Sequence, residues 1–345
     1  ILNEWPRHWE ISPAKAMNSG LTYLVANFRD EIEAIKTFAF FFVMLPAKIG
    51  LQGAVSPFTW GFELTLVHTI IYTLSMAMLA VWTAYKGRAQ TAILILIFAI
   101  IIYFGLTGIP WPALLLICAV AGWKIGGRIL GLGTALGLSF IVVTGIWPEA
   151  ILSIYLCSIA VLVSFFLGTS IGIWAAHNDR VSAIIRPFND TMQTMPLFVL
   201  LIPFVMVFKI GEFTALLAII AYAIVPAIRY SEHGLRTLPA TVIEAATMIG
   251  ATQRQMLWQV KIPLALPVMM LGLNQTIMYG IAMLVIAALV GTNGLEQIVY
   301  IGLSDGNFGV GIIAGIGMAI IAIITDRMTN AWSRKRQKEL GISIE

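Results

Sequence analysis

PLALPVMMLGLNQTIMYGIAMLVIAALVGTNGL, residues 263–295, contains no Asp, Glu, Lys or Arg. A helix of ~20 predominantly apolar residues crosses the hydrocarbon core of a bilayer, so this stretch holds at least one complete crossing. Residues 89–123 are free of charge in the same way. The rest of the chain agrees with both: 59% of its residues are hydrophobic, 11% are charged, and the mean hydropathy is +0.90. A water-soluble domain has too little polar cover for that composition, whereas lipid solvates apolar side chains directly. The fold class is an all-α polytopic membrane protein.

Apolar runs between charged or Pro/Gly-rich breaks predict about nine transmembrane helices, at 60–85, 89–107, 109–123, 129–147, 150–176, 192–208, 213–228, 265–290 and 309–325. Gly105, Gly108, Pro110 and Pro112 mark a tight hairpin between the second and third. Basic residues collect in cytoplasmic loops, and this rule sets the direction of threading. With the N-terminus outside and the C-terminus inside, fifteen of the 21 Lys and Arg residues fall on the inner face. Beyond the first span the outer face then holds Lys209 alone among the basic residues, beside Glu149, Glu212, Glu296 and Asp305. The pI near 9.1 is thus a topology signal and predicts no nucleic-acid partner.

Four regions follow. Residues 1–58 form an extracytoplasmic segment, without a recognisable signal peptide. Within it 29–47 is predicted to be an interfacial helix, because its apolar part, 38–45, is too short to span. Residues 59–148 hold peripheral transmembrane helices, 149–330 the core, and 331–345 a basic cytoplasmic tail. The core carries a long cytoplasmic loop, 230–264, whose middle reads Thr241-Val242-Ile243-Glu244-Ala245-Ala246-Thr247-Met248-Ile249-Gly250. Pro239 suits the start of a short helix there, and Gly250 can close it in left-handed geometry. Ala245 and Ala246 allow another surface to approach closely, and Glu244 can meet a basic partner.

Glu244-Ala245-Ala246, then Gly250, then Val260-Lys261-Ile262-Pro263 resemble the signature loop of ABC importer permeases. That loop reads Glu-Ala-Ala, three residues, Gly, nine residues, Ile-x-Leu-Pro, and this chain departs from it only by Val260 and Ile262. Further stretches, among them Met192-Gln193-Thr194-Met195-Pro196 and Gly272-Leu273-Asn274-Gln275-Thr276, are similar to the glycine betaine/proline betaine permeases, whose relatives carry choline or trimethylamine N-oxide. The resemblance covers about 123–332. It implies a type I ABC importer permease fold and a place in the bacterial cytoplasmic (inner) membrane. It implies two copies of an ABC ATPase subunit, a second permease chain (identical or a close paralogue), and a periplasmic or extracellular solute-binding protein. It also implies ATPase coupling through Glu244, Ala245, Ala246, Gly250, Ile262 and Pro263. No cofactor is expected in this chain; ATP and magnesium would sit on the partner ATPase.

Within the core spans the polar side chains are few, and in lipid such groups turn to the bundle interior or to a water-filled cavity. Gln193, Thr194, Asn274, Gln275 and Tyr279 are therefore the candidate translocation path, Gln275 and Tyr279 sharing a face at i and i+4. The competing role is interhelical hydrogen bonding that holds the bundle together. An enzyme is not expected. His68 and His177 lack neighbours at metal-ligand spacing, no HExxH, GxSxG or GxxxxGK[ST] pattern occurs, and Cys118 and Cys157 lie in apolar runs as small hydrophobes. A permease for another small solute, such as an amino acid, is the main alternative. A secondary transporter is a further one, disfavoured by spans without charge.

Overall fold

The computed structural model describes residues 14–52, 66–85 and 111–339, together with the isolated helical positions Ala92, Ile95, Leu96 and Ala99. Regular structure among the described residues is helical throughout. The span expected at 89–107 lies largely outside the described residues. In the chain's order the helices are α1 (Ala14–Asn27), α2 (Arg29–Ala39), α3 (Leu45–Gln52), α4 (Leu66–Tyr85), α5 (Trp111–Val143) and α6 (Trp147–His177). They continue as α7 (Asp179–Thr194), α8 (Leu197–Phe208), α9 (Glu212–Arg236), α10 (Ala240–Met248), α11 (Gln253–Val290), α12 (Leu295–Ser304) and α13 (Phe308–Glu339).

The core sits where α6, α9 and α11 meet, with Ile151, Ala160, Ala218, Ile219, Met283 and Ala287 among its buried residues. Small residues bring the α6 and α9 backbones together. A Cβ on Gly172 would lie 2.6 Å from the Ile228 carbonyl oxygen, inside any tolerable contact. Lipid is as apolar as the side chains, so dense packing of this kind replaces hydrophobic exclusion as the force between membrane helices.

Several expected elements are corrected. The apolar run 192–208 is not one helix: α7 and α8 meet at 104°. Proline disfavours helical geometry in the residue before it, and Met195 and Pro196 are both extended, with ψ of 129° and 135°. The apolar helix that remains, α8, has 12 residues and a length of ~18 Å, too short to cross alone. By contrast, the segments expected at 109–123 and 129–147 do stand as two arms of α5, which breaks at Gly127 (φ 85°, ψ −175°). A Cβ on Gly131 would lie 3.1 Å from the Ala119 carbonyl oxygen. Twelve residues of straight helix would separate those positions by ~18 Å, so the chain doubles back at Gly127 as a helical hairpin.

The helix begun at Arg29 is longer than expected. A π-helical turn, Phe40–Met44, joins α2 to α3, and Arg29–Leu51 has the length and composition of a span. Its anchors nevertheless lie together. Lys36 Nζ donates to the Phe208 carbonyl at 3.4 Å and Lys48 Nζ to Glu212 Oε1 at 2.5 Å. Both partners flank the α8–α9 turn, although the lysines are ~18 Å apart along their own helix. The helix therefore lies across that end of the bundle.

Near the C-terminus, α12 occupies what was expected to be an outer loop. Glu296 at its first turn is buried, held by Ser153 Oγ at 2.6 Å and by the Gly294 N–H at 3.2 Å. The expected tail from 331 is helical through Glu339, because α13 continues as a solvated cationic helix. By length and composition six described helices could span, α5 being counted whole despite its hairpin, or seven with the bent pair, against the nine expected. α4, 20 residues long, reads LVHTIIYTLSMAMLAVWTAY and carries no Asp, Glu, Lys or Arg.

Candidate functional site

The chain between α9 and α11 is where sequence pattern and local structure converge. The expected loop 230–264 is shorter than anticipated, since α9 runs to Arg236 and α11 begins at Gln253. Between them stands α10, nine residues long. Pro239 precedes it in extended geometry (φ −59°, ψ 128°), so its missing N–H falls where a helix has no intrahelical acceptor. At the other end Gly250 has φ +84°. Its N–H donates to the Thr247 carbonyl at 2.9 Å and the Ala251 N–H to the Ala246 carbonyl at 3.1 Å, the paired bonds of a Schellman cap. Thr252 and Gln255 then exchange capping-box hydrogen bonds and restart the chain as α11.

Glu244 and Ala245 are exposed on α10 and Ala246 is half-buried. Glu244 makes no hydrogen bond or ion pair among the described residues, while Met248 and Ile249 are 89% and 88% exposed. A short, doubly capped helix thus presents one carboxylate, two small residues and two bare apolar side chains. Ile262 and Pro263 are half-buried, not on this surface: they sit where the π-helical turn Met256–Lys261 passes into regular helix. Pro263 cannot donate to the preceding turn, and its ring crowds the carbonyl four residues back. A wider π turn just ahead of it accommodates both.

The stem of this module is tied down by a cluster that the sequence pattern did not single out. Glu232 Oε1 accepts from Ser182 Oγ at 2.6 Å, from Arg186 Nη2 at 3.1 Å and from Arg236 Nε at 3.0 Å. Arg236 Nη2 also donates to the Ala175 carbonyl at 2.9 Å and to Asp179 Oδ1 at 2.8 Å. One step along the same interface Arg229 pairs with Asp190. The cluster binds the ends of α6 and α9 to α7. Its only local signal is the i, i+4 spacing of Glu232 and Arg236; Ser182 and Arg186 are 50 and 46 residues away from Glu232.

The path candidates separate into groups. Gln193 and Thr194 lie on the last turn of α7, and Thr194 Oγ1 donates back to the Asp190 carbonyl at 2.9 Å. Asn274 is buried against α13, where its Nδ2 donates to Asp326 Oδ1 at 2.8 Å, and Asn330 donates to the same oxygen at 2.9 Å. Gln275 and Tyr279 occupy another face of α11. There the Tyr279 ring stacks on Tyr222 of α9, with centroids 4.8 Å apart.

Comparison with known proteins matches residues 168–338 to the family described as "Binding-protein-dependent transport system inner membrane component". The glycine betaine transport system permease protein OpuAB of Bacillus subtilis is 39% identical over 225 residues, which is 65% of this chain and 80% of that protein. The chain belongs to this family. Among other members, the glycine betaine/proline betaine transport system permease protein ProW of Escherichia coli is 40% identical over 66% of this chain. The trimethylamine N-oxide transport system permease protein TmoV of Pelagibacter ubique is 38% identical over 68% of it. The chain spans 65% of the length of the Escherichia coli relative, 62% of its Salmonella typhimurium counterpart and 33% of the Pelagibacter protein. The solved MetNI methionine ABC transporter, in an inward-facing conformation, aligns with 57% of the chain and 96% of its own at 23% identity and a TM-score of 0.47. Membership and the apolar helices make this a multi-pass membrane protein.

Proposed function

We propose that the chain is the membrane-spanning permease subunit of an ATP-binding-cassette importer for a quaternary ammonium compound or related osmolyte. Glycine betaine, proline betaine, choline and trimethylamine N-oxide are the candidate solutes. The observation that carries this reading is α10: a short helix outside the apolar layer, capped at both ends, offering Glu244, Ala245 and Ala246 on a free surface. Such a helix can seat in another protein and pass that protein's movement to α9 and α11. The chain itself is not an enzyme. ATP and magnesium are held by two copies of a partner ATPase, a second permease chain completes the pathway, and a separate solute-binding protein delivers the ligand.

In this arrangement the basic ends, with α10 and the α13 C-terminus, face the cytoplasm, and the α8–α9 turn faces outward. The N-terminal helix lies in the outer interface, anchored by Lys36 and Lys48. The membrane is the bacterial inner membrane. Gln275, Tyr279 and Gln193 line the path, and the stacked pair Tyr222–Tyr279 supplies an aromatic face suited to a cationic solute. Asn274 is committed to Asp326 and serves the bundle.

The test is uptake of radiolabelled betaine, choline and trimethylamine N-oxide into proteoliposomes holding this chain, its ATPase and its binding protein. Uptake of one solute that requires ATP supports the proposal and names the ligand. Flux that survives ATP depletion and collapses with a protonophore overturns it.

A further inference from the structure

A groove of about 800 Å³ runs between α13 and the second half of the α5 hairpin. Its two ends differ in chemistry. One is walled by Ile320, Ile323 and Ile324, opposite Gly137; the other carries Arg327, Arg334, Lys335 and Lys338, beside the hairpin tip where Gly126 faces Ala331. The residues of α13 in this lining recur at three- and four-residue intervals, which places them along one side of the helix. That side passes from isoleucine to cations within three turns. The hairpin contributes Gly133, where an added Cβ would meet nothing within 4 Å, so the groove floor is open there.

Three of these four cations, Arg334, Lys335 and Lys338, lack an internal ion-pair partner among the described residues. Of the nearby carboxylates, Glu339 is taken by Arg336 at 2.8 Å, and Asp326 stands 4.0 Å from Arg327 while accepting from Asn274 and Asn330. The hairpin tip adds Lys124 and Arg128 at the same end of the bundle. Uncompensated positive charge therefore sits at the mouth of a slot whose depth is apolar.

We infer that this groove is a binding site for an anionic glycerophospholipid, its phosphate among Arg334, Lys335 and Lys338 and an acyl chain along Ile320, Ile323 and Ile324. A soluble anion would satisfy the cations but leave the isoleucine wall unused. A zwitterionic lipid would fill the wall but bring its own cation to the basic mouth. Basic pockets between transmembrane helices recognise lipid headgroups through this pairing of charge with adjoining hydrocarbon. The inference is independent of which solute the chain transports.

The test is native mass spectrometry of the full chain in neutral detergent, titrated with phosphatidylglycerol or phosphatidylcholine. Phosphatidylglycerol is expected to bind more tightly. Combined Arg334→Gln, Lys335→Gln and Lys338→Gln is expected to weaken it on the order of 100-fold, at about fivefold for each cation near the headgroup. Gly133→Phe, which fills the slot and leaves every charge in place, is expected to lower phosphatidylglycerol binding at least tenfold. Arg336→Gln, whose partner is Glu339, is expected to leave it unchanged. Wild-type binding by either the triple variant or Gly133→Phe overturns the site. So does equal loss in Arg336→Gln, which indicates diffuse attraction, or displacement by glycerol 3-phosphate at matched concentration, which indicates a soluble anion.

Discussion

A substitution series at Gly250 tests whether the capped state of α10 transmits force. Gly250 holds φ +84°, and a Cβ there would meet nothing within 4 Å, so Gly250→Ala changes backbone preference without a clash. Left-handed geometry costs an L-residue ~1–2 kcal/mol, which lowers the ratio of capped to uncapped helix about five- to thirtyfold. Asn tolerates this region better, and Gly250→Asn is expected to cost about half as much. Gly250→Pro fixes φ near −65° and deletes the N–H donated to Thr247 at 2.9 Å. Losing that bond adds ~1 kcal/mol, and the total of ~3 kcal/mol disfavours the capped form more than 100-fold. A nine-residue helix with so exposed a surface has little else to hold it. The assay is solute taken up per ATP hydrolysed in proteoliposomes with the partner ATPase, read beside thermal unfolding of each variant. Coupling is expected to fall in the order Gly, Asn, Ala, Pro, with unfolding temperatures nearly constant because α10 lies outside the core. Wild-type coupling in Gly250→Pro, or a series without that order, refutes the reasoning.

Three further outcomes follow from particular contacts. Gly172→Leu drives a side chain into the Ile228 carbonyl oxygen, 2.6 Å from the Cβ position, and is expected to destabilise the chain by at least ~2 kcal/mol in detergent unfolding. Gly309→Leu, where nothing lies within 4 Å, is the matched control, and equal losses in the two would sink the packing account. Glu232→Ala strands three donors at one buried oxygen and is expected to cost ~2–3 kcal/mol, the partial exposure of both arginines keeping it below a fully buried pair. A double-mutant cycle with Ser182→Ala should return a coupling of ~1 kcal/mol, and simple additivity would mean that the two do not act together. Gln275→Leu and Tyr279→Phe, the latter keeping the ring stacked on Tyr222, are each expected to reduce uptake about tenfold with unfolding unchanged, a loss of ~1.4 kcal/mol of path interaction. Normal uptake would return both residues to a packing role.

Much of the architecture was legible because lipid reduces the sequence problem to one variable. Charge-free runs became the helices α6, α9, α11 and α13, and Pro239 and Gly250 bounded α10 through backbone geometry alone. Hydropathy says nothing of direction, however, so the apolar run over 192–208 concealed the 104° bend that Pro196 imposes. It also overstates exposure for single acids. Glu296 looked like an outer-loop residue and is buried, because Ser153, 143 residues earlier, supplies its hydrogen bond. The amide of Asn274 donates to Asp326, 52 residues later. Pairings at that separation leave no periodic trace, and the Glu232 cluster was missed for the same reason.

The two flanks of α10 are mechanically unlike, and the difference suggests how movement would travel on the proposed reading. On the α9 side only residues 237–239 separate α10 from Arg236, which is bonded at once to the α6 carbonyl of Ala175, to Asp179 and to Glu232. That junction is stiff, and Glu232 carries it on to Ser182 and Arg186 of α7. On the α11 side the chain passes through the π turn Met256–Lys261 and then Pro263, where the regular hydrogen-bond ladder is interrupted. Such interruptions are where long helices bend. A displacement of α10 would therefore tilt α7 and, through the Met195–Pro196 bend, swing α8, while α11 flexes locally and keeps its packing in the core. Coupling carried by a packed, charge-bonded element requires that the bonds be intact. Glu232→Ala should then hydrolyse ATP at the normal rate and lose uptake, whereas a substitution in the π turn, such as Gln259→Ala, should leave uptake per ATP nearly unchanged. The reverse pattern would place the lever on α11.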